Sequence, residues 1–108
     1  MSLHDAPVTG TLQHSLGQQR IVLMEPDRAA IEYRVDPAMC HSGGVAQGGF
    51  VAGWIDAAMA HAIMARHGTA MVPMTLELKT RYLAPAMPGL VIAEGWIERA
   101  GRSTCFAE

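Results

Sequence analysis

The chain has 108 residues, of which 50% are apolar, 17% charged and 6% aromatic, and its formal charge is −2. That length suits one domain with one core, and the lack of a basic excess argues against a nucleic-acid binder. Two cysteines do not make a disulfide framework, so a reduced cytoplasm is the expected setting. The best apolar run is interrupted by Asp56 and His61, which argues against a membrane span. No basic segment followed by an apolar one marks a secretory leader at the N-terminus. With few aromatics, eight methionines must share the core with Ala, Val, Ile and Leu. Low charge beside high apolar content predicts that another subunit covers part of the surface.

In chain order, residues 1–17 have no periodicity and read as a poorly structured leader, with a short turn or loose helix over His14 to Gln19. Ile21 to Met24 is a short apolar run, Pro26-Asp27 a turn pair, and Ala29 to Asp36 alternates. Ile31, Tyr33 and Val35 fall on one face and Glu32, Arg34 and Asp36 on the other, so the two runs read as a hairpin with one wet side. Four glycines then fall within the seven residues 43–49 and lead into the longest helical stretch, Gly48 to about Arg66. Its alanines are strong helix formers. Apolar residues lie nearly all round it, which predicts a buried helix, and Gly68 is its expected stop. Met71 to Leu83 and Leu90 to Arg99 alternate as strands, with the turn residues Pro85, Pro88 and Gly89 between them. A tight turn at residues 100–103 precedes a last strand from Thr104. Consecutive hairpins around one helix imply an α+β domain, a mainly antiparallel sheet wrapped on the helix.

The glycine loop feeding a helix is where chemistry is expected. A helix start leaves unpaired N–H donors and a partial positive charge, a place to hold an oxyanion. Gly48 is the candidate donor, with a plain tight turn as the alternative. Gln47 and His41 flank the loop as further donors, or as polar residues bonding their own backbone. Asp56, two turns into the helix among Trp54, Ile55 and Met59, is the candidate nucleophile or general base. Its alternatives are a carboxylate facing water, or one paired with Lys79 or Arg81. Thr75, on the expected strand after the helix, is a candidate to bring a hydroxyl beside Asp56, with a purely structural strand threonine as the alternative. Arg81, Arg99 and Arg102 are candidates for the anionic groups of a large ligand, with Gly49 and Trp54 as further contacts. Cys40 and His41 are adjacent, so their side chains diverge and do not make a catalytic pair. His61 and His67 lack the spacing of a metal site on one helix face, and no metal is expected.

Taken together, Gln47-Gly48-Gly49, Asp56 seven residues on, Thr75, and Arg81-Tyr82-Leu83-Ala84-Pro85-Ala86 followed by Gly89 resemble the hotdog-fold acyl-CoA thioesterases of the PaaI-like group. The likeness runs over about residues 29 to 103. It departs from the family pattern in Gln47, where His is usual, and His41, where Asn is usual. The resemblance implies a sheet curled around a central helix, and a homodimer, often paired into a tetramer, with its site across the interface. It also implies an acyl-CoA substrate, no cofactor beyond the coenzyme A of that substrate, Asp56 as nucleophile or base, and Gly48 N–H polarising the carbonyl. Rival readings are an acyl-CoA binder without turnover and a hydratase or dehydratase on the same fold, which His41 keeps open. The family has most of another strand where this chain stops, so the C-terminal strand is expected to be cut short.

Overall fold

A computed structural model describes residues 7–68 and 70–108. Its sheet begins with the expected hairpin. β1 (Gln18–Glu25) and β2 (Arg28–Val35) pair antiparallel, from Gln18 opposite Tyr33 to Glu25 opposite Arg28. Asp27 turns the corner at φ 71°, a left-handed conformation that Asp tolerates better than most residues. Along β2, Ile31, Tyr33 and Val35 are buried and Arg34 is exposed, as the alternation requires. β3 (Gly89–Ala100) lies antiparallel to β2, and β4 (Cys105–Ala107) returns along β3, for a sheet order β1-β2-β3-β4.

Two α-helices are described, the short α1 (Leu12–Ser15) and the long α2 (Gly48–His67), with a 3-10 turn at Pro37–Met39 between β2 and α2. α2 ends on Gly68 at φ 96°, where the absence of a Cβ permits the turn. It packs on β2 and β3. Only Trp54, Ala58 and Ala62 are buried, and their four-residue spacing makes a single stripe. The expectation of a helix buried on every side is therefore corrected. Ile55, Met59 and Ile63 are only half-buried within this chain. By length and mean hydropathy (1.2) α2 also passes the test for a membrane span that Asp56 and His61 were expected to fail. Its packed stripe is that of a core helix.

Two contacts seat the stripe. The Trp54 indole stacks on Tyr33 with ring centroids 5.9 Å apart, and its Nε1–H donates to the Leu16 carbonyl at 2.7 Å. Farther along, Gly95 of β3 meets the helix backbone. A Cβ there would stand 2.6 Å from the Ala58 carbonyl carbon and oxygen and from the Met59 nitrogen. Beneath the helix, the Tyr33 hydroxyl is buried with no partner among the described residues, and burial pushes its pKa well above the usual phenol value.

Two expectations about the ends of elements change. Residues 11–17 are not part of a poorly structured leader. They hold α1, capped by the Thr11 side chain, and the Gly17 carbonyl accepts from Arg34 N–H at 2.8 Å. Residues 1–6 of the expected leader lie outside the described residues. The alternating stretch Met71 to Leu83 is not a strand. It has no ladder partner among the described residues and leaves Met74, Leu76 and Leu83 at least 84% exposed. Alternation makes a segment fit for a sheet, but a strand also needs a neighbour to receive its hydrogen bonds. A cleft lined by both separates this segment from β4.

Gly95→Ala is expected to destabilise the fold by about 1–3 kcal/mol, the typical cost of overpacking. Urea unfolding checks this, with a lowered midpoint at unchanged slope.

Candidate active site

The loop before α2 is held by short-range bonds. A bridge between Cys40 and Ala46 closes it, and Gly44, at φ 77°, donates its N–H to the His41 carbonyl at 2.9 Å. His41 Nδ1 accepts from Gly43 N–H at 3.0 Å, so one ring nitrogen serves the loop itself. Gln47 caps the helix. Its Oε1 accepts from Gly49 N–H at 2.8 Å, which leaves the side-chain NH₂ as the donor end of the amide. Among the described residues nothing accepts from Gly48 N–H, one of the orphan donors of a helix start. Tyr82, which sequence reasoning placed only within a turn motif, donates its hydroxyl to the Gly48 carbonyl at 2.9 Å. Its ring lies over the glycine, where a Cβ would come within 3.2 Å of the hydroxyl. A cavity of about 400 Å³ opens here, lined by His41, Gly48, Val51, Tyr82 and Pro85 among others.

Asp56 belongs to a different cleft. Helical geometry turns it about 160° from the centre of the Trp54–Ala58–Ala62 stripe, away from the sheet. There the half-buried carboxylate accepts a hydrogen bond from Thr75 Oγ1 at 2.8 Å. The cleft holds about 530 Å³ and is lined by Ile55, Asp56, Met59, Thr75, Arg81 and Phe106 among others. The ion pairs among the described residues involve other carboxylates, so Asp56 is bound to neither Lys79 nor Arg81. Eight residues at the helical rise separate Asp56 from Gly48 by about 12 Å.

Thr75 thus reaches Asp56 as expected, while Gln47, Gly48, Gly49 and His41 form a second group at the helix start. The expected ligand contacts scatter. Trp54 is corrected from a ligand contact to a core residue, 3% exposed, because its indole is committed to Tyr33 and Leu16. Of the three arginines, only Arg81 lines the Asp56 cleft. Arg99 sits over the Phe106 ring at 5.2 Å, and Arg102 lies on the β3–β4 turn in another cavity.

The family model described as the thioesterase superfamily matches residues 43–108. No curated protein matches the sequence. Among solved structures, a phenylacetic acid degradation-related protein of Ralstonia eutropha JMP134 is 27% identical, with a TM-score of 0.83 over 95% of this chain and 78% of that one. The PaaI protein of the E. coli phenylacetic acid degradation operon is 18% identical, with a TM-score of 0.74 over 88% of this chain and 76% of that one. A mutant of the phenylacetic acid degradation protein PaaI from Thermus thermophilus is 23% identical, with a TM-score of 0.72 over 88% of this chain and 90% of that one.

Gln47→Ala removes the cap on Gly49 and is expected to cost about 0.5–2 kcal/mol of stability. Thermal unfolding checks it, and amide exchange at the first turn of α2 should rise with it.

Proposed function

The chain belongs to the thioesterase superfamily and has the hotdog fold of its PaaI-like group, and from that premise we propose that it hydrolyses an acyl-CoA thioester at a site shared by two copies of the chain. The separation within α2 carries this reading. An oxyanion donor must come within about 3 Å of the developing charge, and a nucleophile must start about 3–3.5 Å from the carbonyl carbon. Groups about 12 Å apart on one rigid helix cannot serve the same carbonyl. A two-fold axis that sets the Gly48 end of one helix against the Asp56 region of its partner meets both conditions, and it yields two equal sites. The half-buried Ile55, Met59 and Ile63 beside Asp56 supply apolar surface for such an interface.

In this mechanism the thioester carbonyl oxygen lies against Gly48 N–H, with the Gln47 NH₂ as a second donor. As the carbonyl carbon is attacked, its oxygen gains negative charge, and the helix dipole stabilises that charge. Asp56 of the other copy either attacks the carbon directly or takes a proton from water that does so. Thr75 donates to Asp56 Oδ1, which fixes the carboxylate plane and leaves the other oxygen to react. The carbon–sulfur bond then breaks, and coenzyme A leaves as the thiolate. On the direct route the acyl group is then joined to Asp56 as a mixed anhydride, which water hydrolyses to the free acid and the Asp56 carboxylate.

Asp56→Asn is expected to lower kcat on medium-chain or aryl acyl-CoAs by about a hundredfold or more. A variant within a few-fold of the parent would remove Asp56 from the chemistry. A single turnover in heavy-oxygen water tests the direct route, since label on Asp56 arises only when water opens an acyl–Asp56 anhydride at the Asp56 carbonyl.

Gly48→Pro tests the donor. Proline is accepted at the first helical position, and Gln47 at ψ 138° already has the conformation that precedes proline. The N–H is lost with the helix kept, the Tyr82 ring giving way slightly to admit the proline Cβ, and kcat should fall about 10²–10³-fold. Gly48→Ala, which adds the Cβ but keeps the N–H, separates the two effects. Mixing the inactive Gly48→Pro and Asp56→Asn proteins under subunit exchange should restore activity, because a mixed dimer keeps one intact pair. No recovery despite exchange would place both groups in sites within one chain.

A further inference from the structure

At the far end of α2 a second pair of reactive side chains meets, and its cysteine also borders the cleft that holds the Asp56–Thr75 hydrogen bond. His67, the last residue of α2, holds Nε2 3.9 Å from Sγ of Cys105, the first residue of β4. Cys105 is half-buried and forms no disulfide. Both residues line a cavity of about 530 Å³, with Arg102, Ser103 and Thr104 on its polar side and Met71 and Met74 on its apolar side.

Two features of this corner suit attack by Cys105. His67 Nε2 is a base beside the thiol, placed to receive its proton. Arg66 is near enough for the sulfur to act on its guanidinium, although Asp27 takes its hydrogen bonds at 2.6 and 2.7 Å. Arg102 adds a further positive charge on the cavity wall. Cys40 is the internal contrast. Its thiol donates to the Asp36 carbonyl at 3.7 Å, and the neighbouring His41 ring is turned onto Gly43.

We propose that Cys105, paired with His67, is a thiol–disulfide exchange site for a low-molecular-weight disulfide bearing carboxylates, of the glutathione disulfide class. In this step Cys105 passes its proton to His67 Nε2. The thiolate attacks one sulfur of the disulfide, a new bond forms from Sγ, and the old sulfur–sulfur bond breaks. The departing half leaves as a thiolate and takes the proton back from His67. Cys105 is oxidised to a mixed disulfide and the departing half is reduced to a thiol. The carboxylates lie towards Arg102, and the cavity gives the adduct room without opening the fold.

The test is incubation of the full chain with glutathione disulfide, followed over time by mass mapping of the Cys105 and Cys40 peptides. Cys105 should gain glutathione on the order of tenfold faster than Cys40, and dithiothreitol should remove it. His67→Gln, at an exposed position, should slow Cys105 towards the rate of Cys40 while Cys40 itself is unchanged. Equal rates at the two cysteines, or a Cys105 rate indifferent to His67→Gln, would overturn the proposal. The adduct itself is the readout, so the result stands apart from the hydrolytic reading.

Discussion

The approach of α2 to Gly95 is the constraint on which the rest of the molecule turns. Most helices rest on a sheet through side chains. Here the backbone at Ala58 and Met59 comes so near β3 that a single Cβ at Gly95 would collide with three main-chain atoms. The helix must therefore present small residues along that line, and Ala58 and Ala62 do so. Trp54 adds rotational fixity, since its ring and its N–H both have fixed partners in Tyr33 and Leu16. Once one stripe is seated, every other side chain on the helix has its direction set. Asp56 is carried to the far side and meets Thr75.

The same rigidity keeps the two halves of the chemistry apart. Gly48 and Asp56 are fixed at opposite ends of two helical turns, and no side-chain motion closes a gap of about 12 Å. The helix start is organised for donation. Gln47 satisfies Gly49 with its own oxygen, and Tyr82 holds the Gly48 carbonyl from the other side. The Gly48 N–H is left without an acceptor among the described residues. The Asp56 end is organised around an oriented carboxylate in a cleft with apolar residues such as Ile55 and Met59 and charged ones such as Lys79 and Arg81 on its walls. In the proposed reading, symmetry between two copies joins the two ends with no added element of structure.

The cysteines show how far local sequence misleads about reactivity. Cys40 and His41 are neighbours in the chain and point to different partners, a carbonyl and a backbone N–H. Cys105 and His67 are 38 residues apart and come within 3.9 Å because β4 runs back past the end of α2. The distant pair therefore shares a contact and a cavity that the adjacent pair lacks.

Much of the fold was legible in residue order, where local energetics dominate. Alternation marked β2 and its buried Ile31, Tyr33 and Val35. Pro26-Asp27 marked the turn, and alanine content with Gly68 delimited α2. The Asp56–Thr75 contact was one of two readings, and it forms although the expected strand that was to carry Thr75 does not. What residue order left open depends on which surfaces meet. An apolar, helix-forming run does not say which stripe faces the sheet, so Trp54 was read as a ligand contact when it is core. Alternation in residues 71–83 could not reveal that no strand would lie beside them, since a ladder belongs to two segments at once. The Tyr82–Gly48 and Cys105–His67 contacts span 34 and 38 residues, beyond any local periodicity, and only the packing of α2 against the sheet brought them together.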